Sequence, residues 1–141
     1  MTVYFDSSVV LRLVLQEPRS REKWATDAAI SSATLKVECF RAVDRLRFAP
    51  KYSTEKTARA SRALQQLIEA IDLFDVTPTV LERAAQPLGD PLRTLDAIYL
   101  ATALLGANRT GPLTFATHDR LLGAAASSYG FHIPGLERAG N

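Results

Sequence analysis

Apolar positions along the chain switch repeatedly between the two-residue period of strands and the 3.6-residue period of helices. Thr2-Val3-Tyr4-Phe5 is a β-branched and aromatic run that reads as a buried strand. Asp6 falls at its carboxyl end, and Ser7 or Ser8 can cap the short apolar helix that follows, Val9 to Leu15, which Pro18 marks as ended. Arg19 to Ala28 predicts a second helix, amphipathic around Trp24, and Ala29-Ile30-Ser31 a short second strand. Thr34 is placed to cap a helix from about Leu35 to Phe48, closed by Pro50, and Ser53 or Thr54 to cap another running to about Ala70. A third strand is expected within Ile71 to Val76, and Thr77-Pro78 opens a further helix with proline near its first turn.

Pro87-Leu88-Gly89-Asp90-Pro91 reads as a loop. From Arg93 to about Asn108 the pattern predicts a helix apolar on nearly every side, through Leu95, Ile98, Tyr99, Leu100, Ala103, Leu104 and Leu105, and such a helix belongs in the centre of a domain. Leu113 to Thr117 predicts a fourth strand, a helix follows from near Asp119 to about Ser128, and Gly130 to Ile133 suggests a last edge strand. Strands alternating with helices indicate an α/β fold, a parallel sheet covered on both faces.

Length and composition narrow the class. A chain of 141 residues forms one domain, residues 1 to 141, with a single substantial core. No stretch approaches the roughly 20 apolar residues of a membrane span. The first strand begins almost at Met1 with no basic leader, so no cleaved secretory signal is expected and a cytoplasmic location fits. One cysteine, Cys39, and two histidines, His118 and His132, exclude an intrachain disulfide and argue against a zinc site of soft ligands.

The formal net charge of +2 does not by itself imply a polyanionic partner, but its distribution is uneven. Arg41, Arg45, Arg47, Lys51, Lys56, Arg59 and Arg62 crowd a stretch holding only Asp44 and Glu55 as acids. Such an excess is either a nucleic-acid footprint or the solvated faces of two helices.

Four acids occupy positions where a carboxylate needs a reason. Asp6 ends the first strand, where open α/β sheets bind ligands, although it also suits a helix cap. Glu38 sits roughly 60° from the apolar stripe of Leu35, Cys39, Ala42 and Leu46, at the core margin, where a salt bridge to Arg41 or Arg45 is the structural alternative. Asp44, in the same helix, is expected on the opposite, solvated side. Asp96 lies in the first turn of the all-round apolar helix, where burial is costly unless it is paired or bound to a metal, and the helix dipole with Arg93 offers a plainer account. Asp119 follows the fourth strand as Asp6 follows the first; if those strands are neighbours, the two acids meet at a topological switch point. Four carboxylates brought together repel and raise one another's pKa unless a cation neutralises them. An all-oxygen donor set suits Mg²⁺ or Mn²⁺, an ion able to lower the pKa of a bound water and stabilise charge on a phosphodiester.

The chain resembles the PIN-domain ribonucleases, specifically the VapC-type toxins of prokaryotic toxin–antitoxin pairs. Four segments carry the match: Val3-Tyr4-Phe5-Asp6-Ser7-Ser8, the helix around Val37-Glu38, Leu92 to Ala101 with Arg93-Thr94-Leu95-Asp96, and Phe115-Ala116-Thr117-His118-Asp119-Arg120-Leu121-Leu122. The resemblance implies a three-layer α/β/α domain around a parallel sheet of four to five strands. It implies that Asp6, Glu38, Asp96 and Asp119 form an acidic quartet, both catalytic and metal-ligating, with Mg²⁺ or Mn²⁺ as cofactor and Asp119 acting through water. Ser8 and Thr117 match supporting hydroxyl positions, and Arg93 a basic position beside the helix acid. An endoribonuclease leaving a 5′-phosphate and a 3′-hydroxyl is implied, with an RNA substrate, a homodimeric state, and a cognate VapB-type antitoxin that obstructs the acidic pocket. Tyr99 stands where many relatives carry histidine, outside the ligand set, and His118 reads as a helix-start residue and not a base.

Two rival readings differ in class. An aspartyl-phosphate phosphatase would need a second acid two residues after Asp6, where Ser8 stands. A catalytically silent domain of the same fold, binding RNA or a protein partner, would be expected to have lost a carboxylate, and all four are present.

Overall fold

The computed structural model describes residues 1–15 and 28–135. The helix expected around Trp24 lies outside the described residues. Within them the chain runs β1 (Thr2–Phe5), α1 (Ser7–Val14), β2 (Ala28–Ser32), α2 (Thr34–Leu46), α3 (Thr54–Glu69), β3 (Asp72–Phe74), α4 (Pro78–Ala85), α5 (Thr94–Thr110), β4 (Thr114–Ala116) and α6 (Arg120–Ser128). The strands form one parallel sheet in the order β3-β2-β1-β4. Helices α1, α2 and α3 pack together, as do α4 with α5 and α5 with α6, giving the three-layer α/β/α arrangement.

Local chemistry explains most element boundaries. Asp6, Ser53, Thr77 and Asp119 each accept a backbone N–H from the first turn of the helix they precede, and Pro78 opens α4. The start of α2 differs from expectation: Ser32, not Thr34, supplies the hydroxyl, accepting from the Thr34 N–H at 3.3 Å and its Oγ1–H at 2.8 Å. The same helix buries Leu35, Cys39 and Val43, so its apolar stripe is centred nearer Val43 than the Ala42–Leu46 line. It ends at Leu46, and Phe48 stands 78% exposed.

The final edge strand reduces to a single bridge between Thr114 and His132. At the end of α6 the Phe131 N–H bonds the Ala126 carbonyl and the Gly130 N–H bonds that of Ser127, with Gly130 at φ +92°. This is a Schellman closure, whose left-handed residue glycine adopts without strain. The turn at Pro134-Gly135 follows at once, so only Phe131–Ile133 remain to pair with β4.

The core forms on both faces of β1. Val3 and Tyr4 are fully buried; Phe115 packs against Tyr4 from the neighbouring strand β4, and Leu35, Leu64, Leu100 and Leu122 close over the sheet from both helical layers. Tyr4 is the polar member of this core. Its hydroxyl donates to the Tyr99 carbonyl at 2.7 Å, tying the strand that ends in Asp6 to the helix that begins beside Asp96.

Candidate functional site

Because β1 pairs directly with β4, the carboxyl ends of these strands lie side by side at the point where strand order reverses. Asp6 leaves one end and Thr117-His118-Asp119 the other. The expected meeting of Asp6 and Asp119 rests on this adjacency.

Asp6 is only 3% exposed and both of its oxygens are held. Ser8 Oγ donates to Oδ1 at 2.6 Å, the Val9 N–H reaches the same oxygen at 3.3 Å, and Thr117 Oγ1 donates to Oδ2 at 2.5 Å. Burial nevertheless dominates and pushes the carboxyl up to about 6, with Asp119 adding repulsion against the lowering effect of these hydrogen bonds. Ser8 and Thr117 also organise the β4 end: Ser8 Oγ accepts the His118 N–H at 2.9 Å and Thr117 Oγ1 the Asp119 N–H at 3.0 Å. Two hydroxyls thus lock β1, α1 and the β4–α6 junction into one unit.

Asp119 serves as the cap its position suggested, accepting the Leu122 N–H on Oδ1 at 3.0 Å. Its charge also raises the pKa of both Asp6 and Asp96, so the capping carboxylate acts on the two other acids as well. Asp96 is half-buried and not enclosed, since the first turn of α5 opens outward, with Thr94 and Leu95 exposed. Its carboxyl sits in the first turn of the helix, facing back toward the Arg93 backbone N–H, which favours its charged form. Desolvation comes first in raising its pKa, followed by Asp119 and, more weakly, Glu38, while the Arg93 N–H and charge pull it down. Arg93 therefore supports the helix acid, with its side chain in solvent.

Glu38 reaches the group from α2. Ser7 Oγ donates to its Oε1 at 2.8 Å, while Oε2 is buried without a partner among the described residues. A bridge from Glu38 to Arg41 or Arg45 is the structural alternative; among the described residues neither forms, and Arg41 pairs instead with Asp44 at 2.9 Å, with Arg47 joining the same carboxylate at 2.7 Å. Asp44 is thereby half-buried between two arginines and not simply solvated, because two guanidinium groups of its own helix cover it.

Two supporting contacts were not legible in advance. Ser7 appeared only as a possible cap, and Tyr4 only as a strand residue. A hydroxyl residue directly after Asp6, and a phenol inside an otherwise apolar strand, were the available signals; what each touches depends on α2 and α5.

The structure thus brings four acids from four elements to one edge of the sheet, coupled electrostatically. Among the described residues, no three acidic, histidine or cysteine side chains converge closely enough to hold an ion as they stand. The donor chemistry still fits a hard divalent cation: the four side chains offer only carboxylate oxygens, and Asp6 and Asp96 are each repelled by Asp119, a repulsion a cation relieves.

Comparison with known proteins agrees with this geometry. Residues 3–130 match the PIN domain family model. The chain is 32% identical over 135 residues to Ribonuclease VapC46 of Mycobacterium tuberculosis, spanning 93% of this chain and 95% of that one. The fold is shared with the crystal structure of PAE2754 from Pyrobaculum aerophilum, at a TM-score of 0.63 and 21% identity over 94% of this chain and 83% of that one. It is shared also with a chain of a toxin–antitoxin complex from Klebsiella pneumoniae, at 0.58 and 20% identity over 83% and 86%. A family match over nearly the whole chain, on a sheet edge with this acid set, leads to one conclusion: the chain belongs to the PIN-domain family, within its VapC-type ribonuclease branch.

Proposed function

We propose that the protein is a divalent-metal-dependent endoribonuclease, the toxin of a toxin–antitoxin pair. The observation that carries this reading is the convergence of Asp6, Glu38, Asp96 and Asp119 on the switch-point edge of the sheet, each acting on at least one other. These four residues would hold Mg²⁺ or Mn²⁺. Bound there, the cation supplies Lewis acidity toward the phosphodiester and lowers the pKa of a water. The chain's own contribution is orientation. Ser8 and Thr117 hold Asp6 on both oxygens, Ser7 holds Glu38 on one, and the helix start at Arg93 favours the charged form of Asp96. Hydrolysis with the 3′-oxygen as leaving group gives a 5′-phosphate and a 3′-hydroxyl.

The RNA strand is expected to follow the basic face of α3. Of the seven cations in the Arg41–Arg62 stretch, Arg41 and Arg47 are engaged by Asp44. Lys51, Lys56 and Arg59 form no ion pair among the described residues, and with Tyr52 they line a groove of about 420 Å³ beside the end of α1. Arg62 is exposed but outside that groove. Unpaired cations beside an aromatic ring suit a single strand, its phosphates on the charges and a base on the ring. Reversing the charges of Lys56 and Arg59 should lower RNA affinity and flatten its salt slope by about 0.7 for each phosphate no longer neutralised; an unchanged slope puts the RNA elsewhere.

A cytoplasmic homodimer, neutralised by a cognate VapB-type antitoxin covering the acidic edge, completes the reading. It is supported by family membership and by the fold shared with a chain solved in a toxin–antitoxin complex. Among the described residues, no helix is long and apolar enough to cross a membrane.

The decisive test is cleavage of total cellular RNA by antitoxin-free protein with Mn²⁺ or Mg²⁺, with chelator, and with Asp96→Asn. Discrete fragments that disappear with chelator and in Asp96→Asn are expected. Cleavage persisting in Asp96→Asn refutes the site assignment. Absence of cleavage by folded protein that also fails to bind Mn²⁺ at millimolar concentration favours the silent, binding-only domain.

A further inference from the structure

Beneath the acidic edge lie two buried polar atoms whose partners the arrangement of the acids does not explain. Tyr99 is 1% exposed, yet among the described residues its hydroxyl has no hydrogen-bond partner, and Glu38 Oε2 is likewise buried and unpartnered. A buried phenol and a buried carboxylate oxygen each cost free energy when left unsatisfied. They are neighbours: the Glu38 carboxylate raises the pKa of the Tyr99 hydroxyl both through its charge and as a hydrogen-bond acceptor, second only to burial itself. Their chemistry is complementary, one O–H donor and one anionic acceptor.

The backbone around the pair is rigid. Tyr99 lies one turn after Asp96 on α5, and its carbonyl receives the Tyr4 hydroxyl from β1. Glu38 is held on its other oxygen by Ser7. A contact between the two side chains would thus join elements that other hydrogen bonds already hold together.

We propose that Tyr99 is a positioning residue for the acidic site, its hydroxyl donating to Glu38 Oε2 so that both oxygens of this carboxylate are anchored, one to α1 through Ser7 and one to α5. Glu38 belongs to α2, whereas Asp6 follows β1 and Asp96 lies on α5. Without the second anchor its carboxylate swings about the Ser7 contact and the four acids lose their common register. This inference rests on the assignment of Glu38 to the cation site, and Tyr99 itself touches neither cation nor substrate.

A double-mutant cycle tests it on two readouts, using wild type, Tyr99→Phe, Glu38→Gln and the double variant. Phenylalanine retains the ring that fills the core, so all four are expected to fold. The first readout is Mn²⁺ affinity by calorimetry. Tyr99→Phe is expected to weaken binding about tenfold in the wild-type background, the scale of one charge-assisted hydrogen bond. It should change binding less than about twofold in Glu38→Gln. The second readout is urea unfolding in chelator, which reports whether the two side chains are coupled at all. Equal effects of Tyr99→Phe in both backgrounds, on either readout, overturn the proposal. Coupling in unfolding with none in Mn²⁺ affinity also overturns it, reducing the contact to a structural one. Wild type and Glu38→Gln binding Mn²⁺ equally would sink the assignment of Glu38, and with it any positioning role, while leaving the remaining acids to be tested by Asp96→Asn.

Discussion

Asp6 is expected to destabilise the metal-free protein at neutral pH, and removing its charge should reveal by how much. Its carboxyl is 3% exposed and titrates at about 6 in place of 3.8, mainly through burial. Between those values the folded state binds a proton that the unfolded chain has released, so stability falls as pH rises through the window. Two pKa units at 1.36 kcal/mol each correspond to a loss of about 3 kcal/mol by pH 8. Asparagine at position 6 keeps one carbonyl oxygen for Ser8 and Val9, and remains a good helix cap. Its amide meets the Thr117 hydroxyl, which now donates to Oδ2 and must turn to accept, at a cost of about 1 kcal/mol. Asp6→Asn should therefore be more stable than wild type by about 2 kcal/mol at pH 8 in chelator, and no more stable at pH 4. Urea unfolding at the two pH values measures both differences. Millimolar Mn²⁺ is expected to restore the wild-type advantage at pH 8, because the cation neutralises the charge that burial penalises. An Asp6→Asn protein equally destabilised at both pH values would refute the reasoning, since the buried charge would then cost nothing.

Other outcomes follow from the same geometry. Thr117→Val leaves Asp6 Oδ2 without its hydroxyl donor and the Asp119 N–H without its acceptor, so unfolding free energy should drop by about 2 kcal/mol, and the decline of stability with pH, still beginning near the unfolded carboxylate value, should continue to higher pH. Tyr4→Phe removes the hydroxyl tie to the Tyr99 carbonyl; with that carbonyl still available to the helix, the protein should be less stable by about 1 kcal/mol, read as a Tm lowered by about 4 °C. Cys39 is fully buried with its thiol pushed up to about 12, so an aromatic disulfide reagent at pH 8 should label it only in denaturant; rapid native labelling would contradict its placement in the core.

What the sequence determined by itself is local. Caps at Ser53, Thr77 and Asp119 were readable because a cap needs only a short oxygen-bearing side chain and an N–H three residues on, whereas the first helix is capped by Asp6 and takes in Ser7 and Ser8, the expected caps, as its first residues. The buried strand Val3–Phe5, the apolar helix α5 and the alternation of strands with helices were readable because period and side-chain type report burial within a few residues. The edges failed for equally local reasons. Thr34 lost its capping role to Ser32, and the last strand shrank to one bridge between a glycine closure and a proline turn.

The site was legible as a set of suspicious acids but not as an arrangement. Only the pairing of β1 with β4 decides that Asp6 and Thr117, 111 residues apart, share a hydrogen bond. Only the seating of α2 and α5 decides that Ser7 holds Glu38 and that the Tyr99 hydroxyl faces the same carboxylate. Likewise, Asp44 proves to be a clasp for two arginines, which no periodicity distinguishes from a solvated acid. Periodicity records which side of an element is buried, whereas contact between distant elements depends on strand order and helix packing, which the whole core decides together.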